Sequence, residues 1–331
     1  MRTQTFAGTG FLCCFLAAVG LPAACVVAAA PNLAFGPGEN GLFAFDTGPF
    51  RGHLTVTASG QGLCSLIDKG SGRELAKGSK DYGLFSFYRL LAVDKRWGSS
   101  AWSLPKTAER TPDGGVRISW AGRPGHPFDI SGTFRWSAPD TLDVLAEVTP
   151  QIDVRRFELF IGSYFADTFR CQVYVRGRDG AGARFLSVDV NPLIAGTYLS
   201  FPRDHKTTAI IYDGRWLIPP NPVDWAVTGF MAAPLVLQQD RATGLTCVIM
   251  ARPQDCFVVS APYNMEPPED GVAGHHSTYL SLFGTDLKAG EAARAHMRAV
   301  IGKFTPAQAL DRYQAFLKGC PAPATQPAAQ P

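Results

Sequence analysis

Residues 127–165 constrain the fold of this chain more than any other stretch. Apolar side chains alternate there in three segments: Phe128-Ile130-Gly132-Phe134-Trp136, Leu142-Val144-Ala146-Val148 and Phe157-Leu159-Ile161. Turn chemistry separates them, at Ser137-Ala138-Pro139-Asp140 and at Pro150-Gln151-Ile152-Asp153. A period of two sends successive side chains to opposite faces. The segments therefore read as antiparallel strands with one face buried.

The same pattern recurs along the chain. Residues 52–57 and 63–68 read as a hairpin around 59–62, and further strands are predicted over 85–93, 116–120, 171–175, 209–212, 235–239, 245–251, 256–261, 279–284 and 292–301. With 34 Gly and 25 Pro, turns are frequent throughout. The expected fold class is all-β, a large antiparallel β-sandwich. One helix is predicted at the C-terminal end. Thr305-Pro306-Ala307-Gln308 forms a capping box, with proline at the first helical position. Leu310, Tyr313, Phe316 and Leu317 then make an apolar stripe, and Gly319 ends the helix. This helix is expected to dock on the end of the sandwich. The Pro/Ala/Gln-rich tail over 319–331 is expected to be disordered.

Arg2 is the one charge in the first thirty residues. An apolar run over 11–27 follows it, broken by Gly20 and Pro22, and ends in Ala28-Ala29-Ala30. A basic start, an apolar middle and a small-residue exit make a secretory signal peptide over 1–30. The expectation is an exported protein, periplasmic or extracellular, with no transmembrane span in its mature form. Lipid attachment at Cys25 is a lesser possibility. A single domain is expected over 31–318. Without the leader, 30 of the 31 Lys and Arg residues face 28 Asp and Glu. That balance gives no reason to expect nucleic acid as a partner.

Cys64, Cys171, Cys247, Cys256 and Cys320 remain, with no C-x-x-C and no Cys/His cluster, so no metal site is expected. Reading 245–251 and 256–261 as a hairpin turning at 252–255 sets Cys247 opposite Ser260, too far from Cys256 for a disulfide. The cysteines read as small buried hydrophobes. There is no G-x-S-x-G, no P-loop and no H-E-x-x-H, and no cofactor is expected.

Two segments carry a resemblance. Phe157-Glu158-Leu159-Phe160-Ile161-Gly162-Ser163-Tyr164-Phe165 is similar to the mutarotase strand that ends in a G-x-H-P-Y-F type motif. Tyr279-Leu280-Ser281-Leu282-Phe283-Gly284-Thr285, running on to Gly290-Glu291, resembles the late strand and turn of the same sandwiches. Together they resemble the galactose mutarotase-like β-supersandwich superfamily, loosely over 40–304. The resemblance implies a supersandwich and a carbohydrate ligand. It also implies a histidine acid at the first motif and a late glutamate base. Here Gly162-Ser163 stands in the histidine's slot. Serine cannot replace a histidine poised near neutral pH for proton transfer. The superfamily also holds lyases and non-catalytic sugar binders, and fold alone does not choose among them.

The densest polar and aromatic cluster is Arg203-Asp204-His205, Asp213-Gly214-Arg215-Trp216 and Asp224-Trp225. Aromatic faces suit the C–H surfaces of sugars, and Asp and Arg suit their hydroxyls. Arg203, Asp213, Arg215, Trp216, Trp225, Arg89 and Tyr164 are thus the candidates for binding a mono- or oligosaccharide. His276, Asp204 and Glu158 are the candidates for moving protons. Glu158 shares a strand face with Phe160 and Gly162. Against these readings, Asp204 and Asp213 would simply cap turns, with Arg203 and Arg215 pairing with them. The chain is expected to be a carbohydrate-active or carbohydrate-binding protein. The alternative is a non-catalytic structural or protein-binding envelope protein.

Overall fold

The computed structural model describes Met1 and residues 32–177, 181–188, 198–262 and 276–319. The leader with Cys25, His275, and the tail beyond 319 with Cys320 lie outside them. Pro31–Pro331 forms one unit by its internal contacts, and Met1–Ala30 another.

Within the larger unit, β1 (Gly38–Glu39), β2 (Leu42–Asp46), β3 (Phe50–Val56) and β4 (Gln61–Asp68) form a four-stranded sheet in that order. β5 (Ser86–Ala92) and β6 (Lys95–Trp97) open a second sheet. β7 (Thr107–Arg110), β8 (Val116–Trp120), β9 (Phe128–Ala138) and β10 (Thr141–Pro150) open a third. β11 (Val154–Tyr164) returns to the second, and β12 (Phe169–Val175) and β13 (Arg184–Ser187) to the third. β14 (Tyr198–Pro202), helix α1 (His205–Ile211) and β15 (Trp225–Val227) follow, both strands in the second sheet. β16 (Met231–Asp240) and β17 (Thr246–Ala251) join the third sheet, β18 (Cys256–Pro262) and β19 (Ser277–Leu287) the second, and β20 (Ala293–Gly302) the third. Helix α2 (Pro306–Gly319) closes the series. The second sheet is ordered β15-β14-β18-β19-β11-β5-β6, and the third β13-β12-β16-β17-β20-β10-β9-β8-β7. Among the described strands only β14 and β15 run parallel.

The 127–165 stretch divides between these sheets. β9 and β10 pair in register, with Phe134 opposite Val144, Gly132 opposite Ala146 and Ile130 opposite Val148. β11 leaves at the Pro150–Asp153 corner and pairs with β5 and β19 instead. Its inward residues Phe157, Leu159 and Ile161 meet Phe128, Phe134, Leu142 and Val144 in one core between the sheets. Gly132 leaves the space that the Phe87 ring fills, since a Cβ there would lie 2.6 Å from the ring.

Three expectations change. Residues 209–212 belong to helix α1, not to a strand. Asp204 starts that helix by accepting the Thr207 N–H at 2.8 Å, and the Thr207 hydroxyl accepts the Asp204 N–H in return. This capping box outweighs the β-branched Ile210 and Ile211. β17 and β18 are not a hairpin, because they lie in different sheets. An Arg252–Asp255 ion pair at 2.6 Å ties the corner between them. Helix α2 has the expected cap, with the Gln308 N–H donating to Thr305 Oγ1 at 3.3 Å. It covers the outer face of the nine-stranded sheet rather than an end, packing Tyr313 and Phe316 on Leu235, Leu237, Val248, Met250 and Val300. Among the described residues no helix is long and apolar enough to cross a membrane.

Candidate functional site

The seven-stranded sheet turns its second face away from the core and covers it with aromatic rings. Alternation on β11 sends Glu158, Phe160, Gly162 and Tyr164 to this face. β19 adds Tyr279, paired with Gly162. β5 supplies two adjacent residues, Tyr88 and Arg89, which strict alternation forbids. The register explains this: Arg89 pairs with Phe160 and Phe87 with Ile161, leaving Tyr88 as an extra residue in a bulge. Phe87 and Leu90 turn to the inter-sheet core, while Tyr88, Arg89 and Leu91 turn to the outer face. The chain between α1 and β15 then folds over the face and brings Trp216, Asn221 and Val223 against it.

These parts enclose a cavity of about 300 Å³, lined by Tyr88, Arg89, Phe160, Tyr164, Tyr198, Trp216, Asn221, Pro222, Val223, Trp225 and Tyr279. Its walls are locked ring against ring. Phe160 stacks on Tyr279 at 4.8 Å and meets Trp216 edge-on at 4.6 Å. Trp225 meets Trp216 edge-on at 5.3 Å and Tyr198 at 5.6 Å.

Arg89 is the notable polar group. It is 3% exposed. Its guanidinium lies 4.8 Å from the Tyr88 ring centre and 4.9 Å from that of Trp216. Nη2 donates to the Asn221 carbonyl at 2.9 Å and contacts the Tyr88 hydroxyl at 3.2 Å. Nε and Nη1 have no acceptor, and neither has the buried indole Nε1 of Trp225. No carboxylate among the described residues pairs with Arg89. Tyr164 and Tyr279 share a hydrogen bond, and burial pushes both phenols well above their ordinary range. Burial thus favours the neutral phenol at both positions.

Beneath the wall lies a closed ion cluster. Arg215 is fully buried; its Nε and Nη2 donate to the two Asp213 oxygens at 2.9 and 2.8 Å, and Nη1 to Glu158 Oε2 at 3.2 Å. Nη1 also donates to the Arg156 carbonyl at 2.9 Å. Burial pushes the Glu158 carboxyl up, opposed by the Arg215 charge and by hydrogen bonds from Ser281 and Arg215. The cluster anchors the turn that carries Trp216.

The sequence-derived candidates therefore separate into three groups. Arg89, Tyr164, Trp216 and Trp225 line the cavity. Glu158, Asp213 and Arg215 lie below it in the ion cluster, where Glu158 is 1% exposed. Arg203, Asp204 and His276 are elsewhere. Asp204 is the cap of α1, with Arg203 at 3.5 Å, and Arg203 Nη1 donates to the Pro253 carbonyl at 2.9 Å. His276 turns to the layer between the sheets, its Nδ1 3.1 Å from the Phe169 carbonyl and 3.3 Å from Arg170 Nη1. Ser163, in the slot of the motif histidine, accepts the Phe85 N–H at 3.1 Å and helps set the entry to β5. Among the described residues no acid–base pair converges on the cavity. Phe160, Tyr198, Asn221 and Tyr279 are lining residues that sequence reasoning did not select. The Pro219-Pro220-Asn221-Pro222 run reads as a turn, and the aromatics read as core.

A larger depression, about 460 Å³, lies elsewhere, lined by Lys106, Arg117, Trp120, Asp129 and Glu147 among others. Its two carboxylates are already engaged: Asp129 accepts from Gly122 and Gln151, and Glu147 pairs with Arg294. It is open, and none of its lining side chains is a buried donor or acceptor without a partner. The smaller cavity is the better site.

No family model matches the chain, and no curated protein does. Solved structures similar to it include a candidate aldose 1-epimerase from Escherichia coli K12, 12% identical over 80% of this chain and 99% of that one, with a TM-score of 0.49. Another is galactose 1-epimerase from Lactobacillus acidophilus, 10% identical over 83% and 99%, TM-score 0.45. A third is a mutant of heparan sulfate lyase from Pedobacter heparinus, 10% identical over 83% of this chain and 38% of that one, TM-score 0.42.

Proposed function

We propose that this is an exported carbohydrate-binding protein whose cavity over the seven-stranded sheet holds one sugar residue. The observation that carries the reading is the cavity itself. Tyr88, Tyr198, Trp216, Trp225 and Tyr279 line it with aromatic side chains of the kind that suit an apolar sugar surface, and Arg89 and the Trp225 indole bring buried N–H groups with no acceptor to its wall. A volume of about 300 Å³ is at the small end of ligand sites and suits a single ring. Export rests on Arg2, the apolar run over 11–27 and Ala28-Ala29-Ala30. Finding the protein in the exported fraction, with its first residue near Pro31 by mass spectrometry, would support it; an intact chain retained inside the cell would not.

The geometry favours binding over turnover by paired acid and base. Glu158 is engaged with Arg215, Asp204 caps a helix, and His276 faces the other layer. A thermal-shift screen against mono- and oligosaccharides tests the reading, since a ligand of the folded state raises the melting temperature by mass action. The expected hit is lost in Trp216→Ala and Trp225→Ala. No shift across the panel would return the weight to a structural or protein-binding role. Arg215→Ala is not a clean site variant, because it strands Glu158 and Asp213 as buried like charges.

A further inference from the structure

We propose that the sugar taken by this cavity is an acidic one, bearing a carboxylate, sulfate or phosphate group that Arg89 neutralises. The inference rests on the sugar-binding reading above and specifies its ligand. A desolvated charge is costly unless it is paired and hydrogen-bonded. Arg215 meets that condition within the same fold, with two carboxylates and a carbonyl around it. Arg89, barely more exposed, has a single backbone carbonyl and a phenol. Its ring contacts with Tyr88 and Trp216 supply part of the missing stabilisation but no counter-charge.

The donor count points the same way. Arg89 Nε, Arg89 Nη1 and Trp225 Nε1 are buried N–H groups without acceptors, and all belong to residues lining one cavity. A neutral sugar hydroxyl brings a donor along with its lone pairs. An ionised oxyacid group brings acceptors alone, and a carboxylate can take a guanidinium in two parallel bonds. Arg96 stands nearby as a second cation, held by the Gly98, Ser99 and Ile218 carbonyls, and the Arg89 charge helps push its proton affinity down, after burial. Two cations thus stand beside the cavity, and among the described residues neither is paired with a carboxylate. The aromatic walls make the ligand a sugar acid rather than a free anion, because they offer area that a small anion cannot use.

Calorimetric titration of the whole protein tests this. The probes are galacturonate and glucuronate against galactose and glucose, with galactose 6-sulfate and glucose 6-phosphate as further arms. Acetate and inorganic sulfate are the sugar-free anions. The expected result is at least one acidic sugar bound about tenfold or more tighter than its neutral parent, as a charge-assisted bidentate pair allows. Which acidic arm leads identifies the anionic group. Arg89→Gln should reduce the preference to about twofold or less, and its melting temperature without ligand should be no lower than that of the wild type. Equal binding of acidic and neutral sugars would overturn the acidic inference and leave the sugar site standing. Binding of no sugar at all would overturn both. Acetate or sulfate binding as tightly as the sugar acids would overturn the proposal, and so would an Arg89→Gln protein that keeps the preference. If Arg89→Gln fails to fold, salt decides on the wild type. Added sodium chloride should weaken the acidic sugar and not the neutral one, and a preference indifferent to salt would overturn the proposal.

Discussion

At the scale of single residues, the arginines of this fold differ only in what surrounds them. Arg215 is a structural cation because Asp213 and Glu158 meet it, and Arg89 is a candidate ligand-binding cation because no carboxylate among the described residues meets it. Asp143 is the anionic counterpart of Arg215. Its Oδ1 lies 2.7 Å from His296 Nε2 and accepts from Arg298 Nε at 2.8 Å, and Oδ2 accepts from Arg298 Nη2 at 2.9 Å. Burial works against its ionisation, but the hydrogen bonds from His296 and Arg298 outweigh it and hold the carboxyl well below the usual range. A folded pKa below the unfolded value of about 3.9 stabilises the protein above that pH, and the gain is lost as pH falls toward the folded value. Asp143→Asn should therefore cost about 2 kcal/mol in urea unfolding at pH 7. The difference from wild type should shrink below about pH 4, as the wild-type carboxyl takes up its own proton. A penalty unchanged down to acid pH would contradict this account of the network.

At the scale of elements, two features could not be taken from periodicity. The bulge in β5 breaks alternation at one residue and so places Tyr88 and Arg89 together on the cavity face. A pattern of two has no signature for such an insertion until the pairing partner is known. Gly162 is the second case. A Cβ at this position would come within 2.8 Å of the Tyr164 ring, so the absence of a side chain is what lets Tyr164 fold back over its own strand toward the cavity. Helix α2, in contrast, was legible to its cap and its stripe, and only its docking face needed the tertiary structure. Phe316 is fully buried there, 5.0 Å from the His296 ring centre and 5.1 Å from the Arg298 guanidinium. Phe316→Ala should destabilise the protein by about 3 kcal/mol, read as a lower urea midpoint. A change within about 0.5 kcal/mol would mean that the helix is not part of the cooperative fold.

At the scale of the whole molecule, the core between the sheets joins residues from all three of them, so they should unfold together. The buried free thiols report on this. Cys64, Cys171, Cys247 and Cys256 are all buried, and burial pushes the Cys64 thiol up to about 11 and raises Cys247 and Cys256 further. These four should resist a thiol reagent in the native protein and all become reactive through one urea transition. Site-resolved labelling that shows one of them reacting well before the others would instead reveal a separately opening layer. The sequence by itself determined the all-β class, most strands of the 127–165 stretch and of the later half, the capped C-terminal helix, and four of the residues that line the cavity. Local alternation, turn residues and capping chemistry act within a few positions and leave their mark in the sequence. Only the tertiary structure decided which strands share a sheet, because strands buried on both faces, such as β17 and β18, read as uniform apolar runs whatever their partners. It also decided which charges are spent on the fold. Asp204, Arg215 and Glu158 have the chemistry of a site, but their partners take up that chemistry, and those partners come together only in the folded chain.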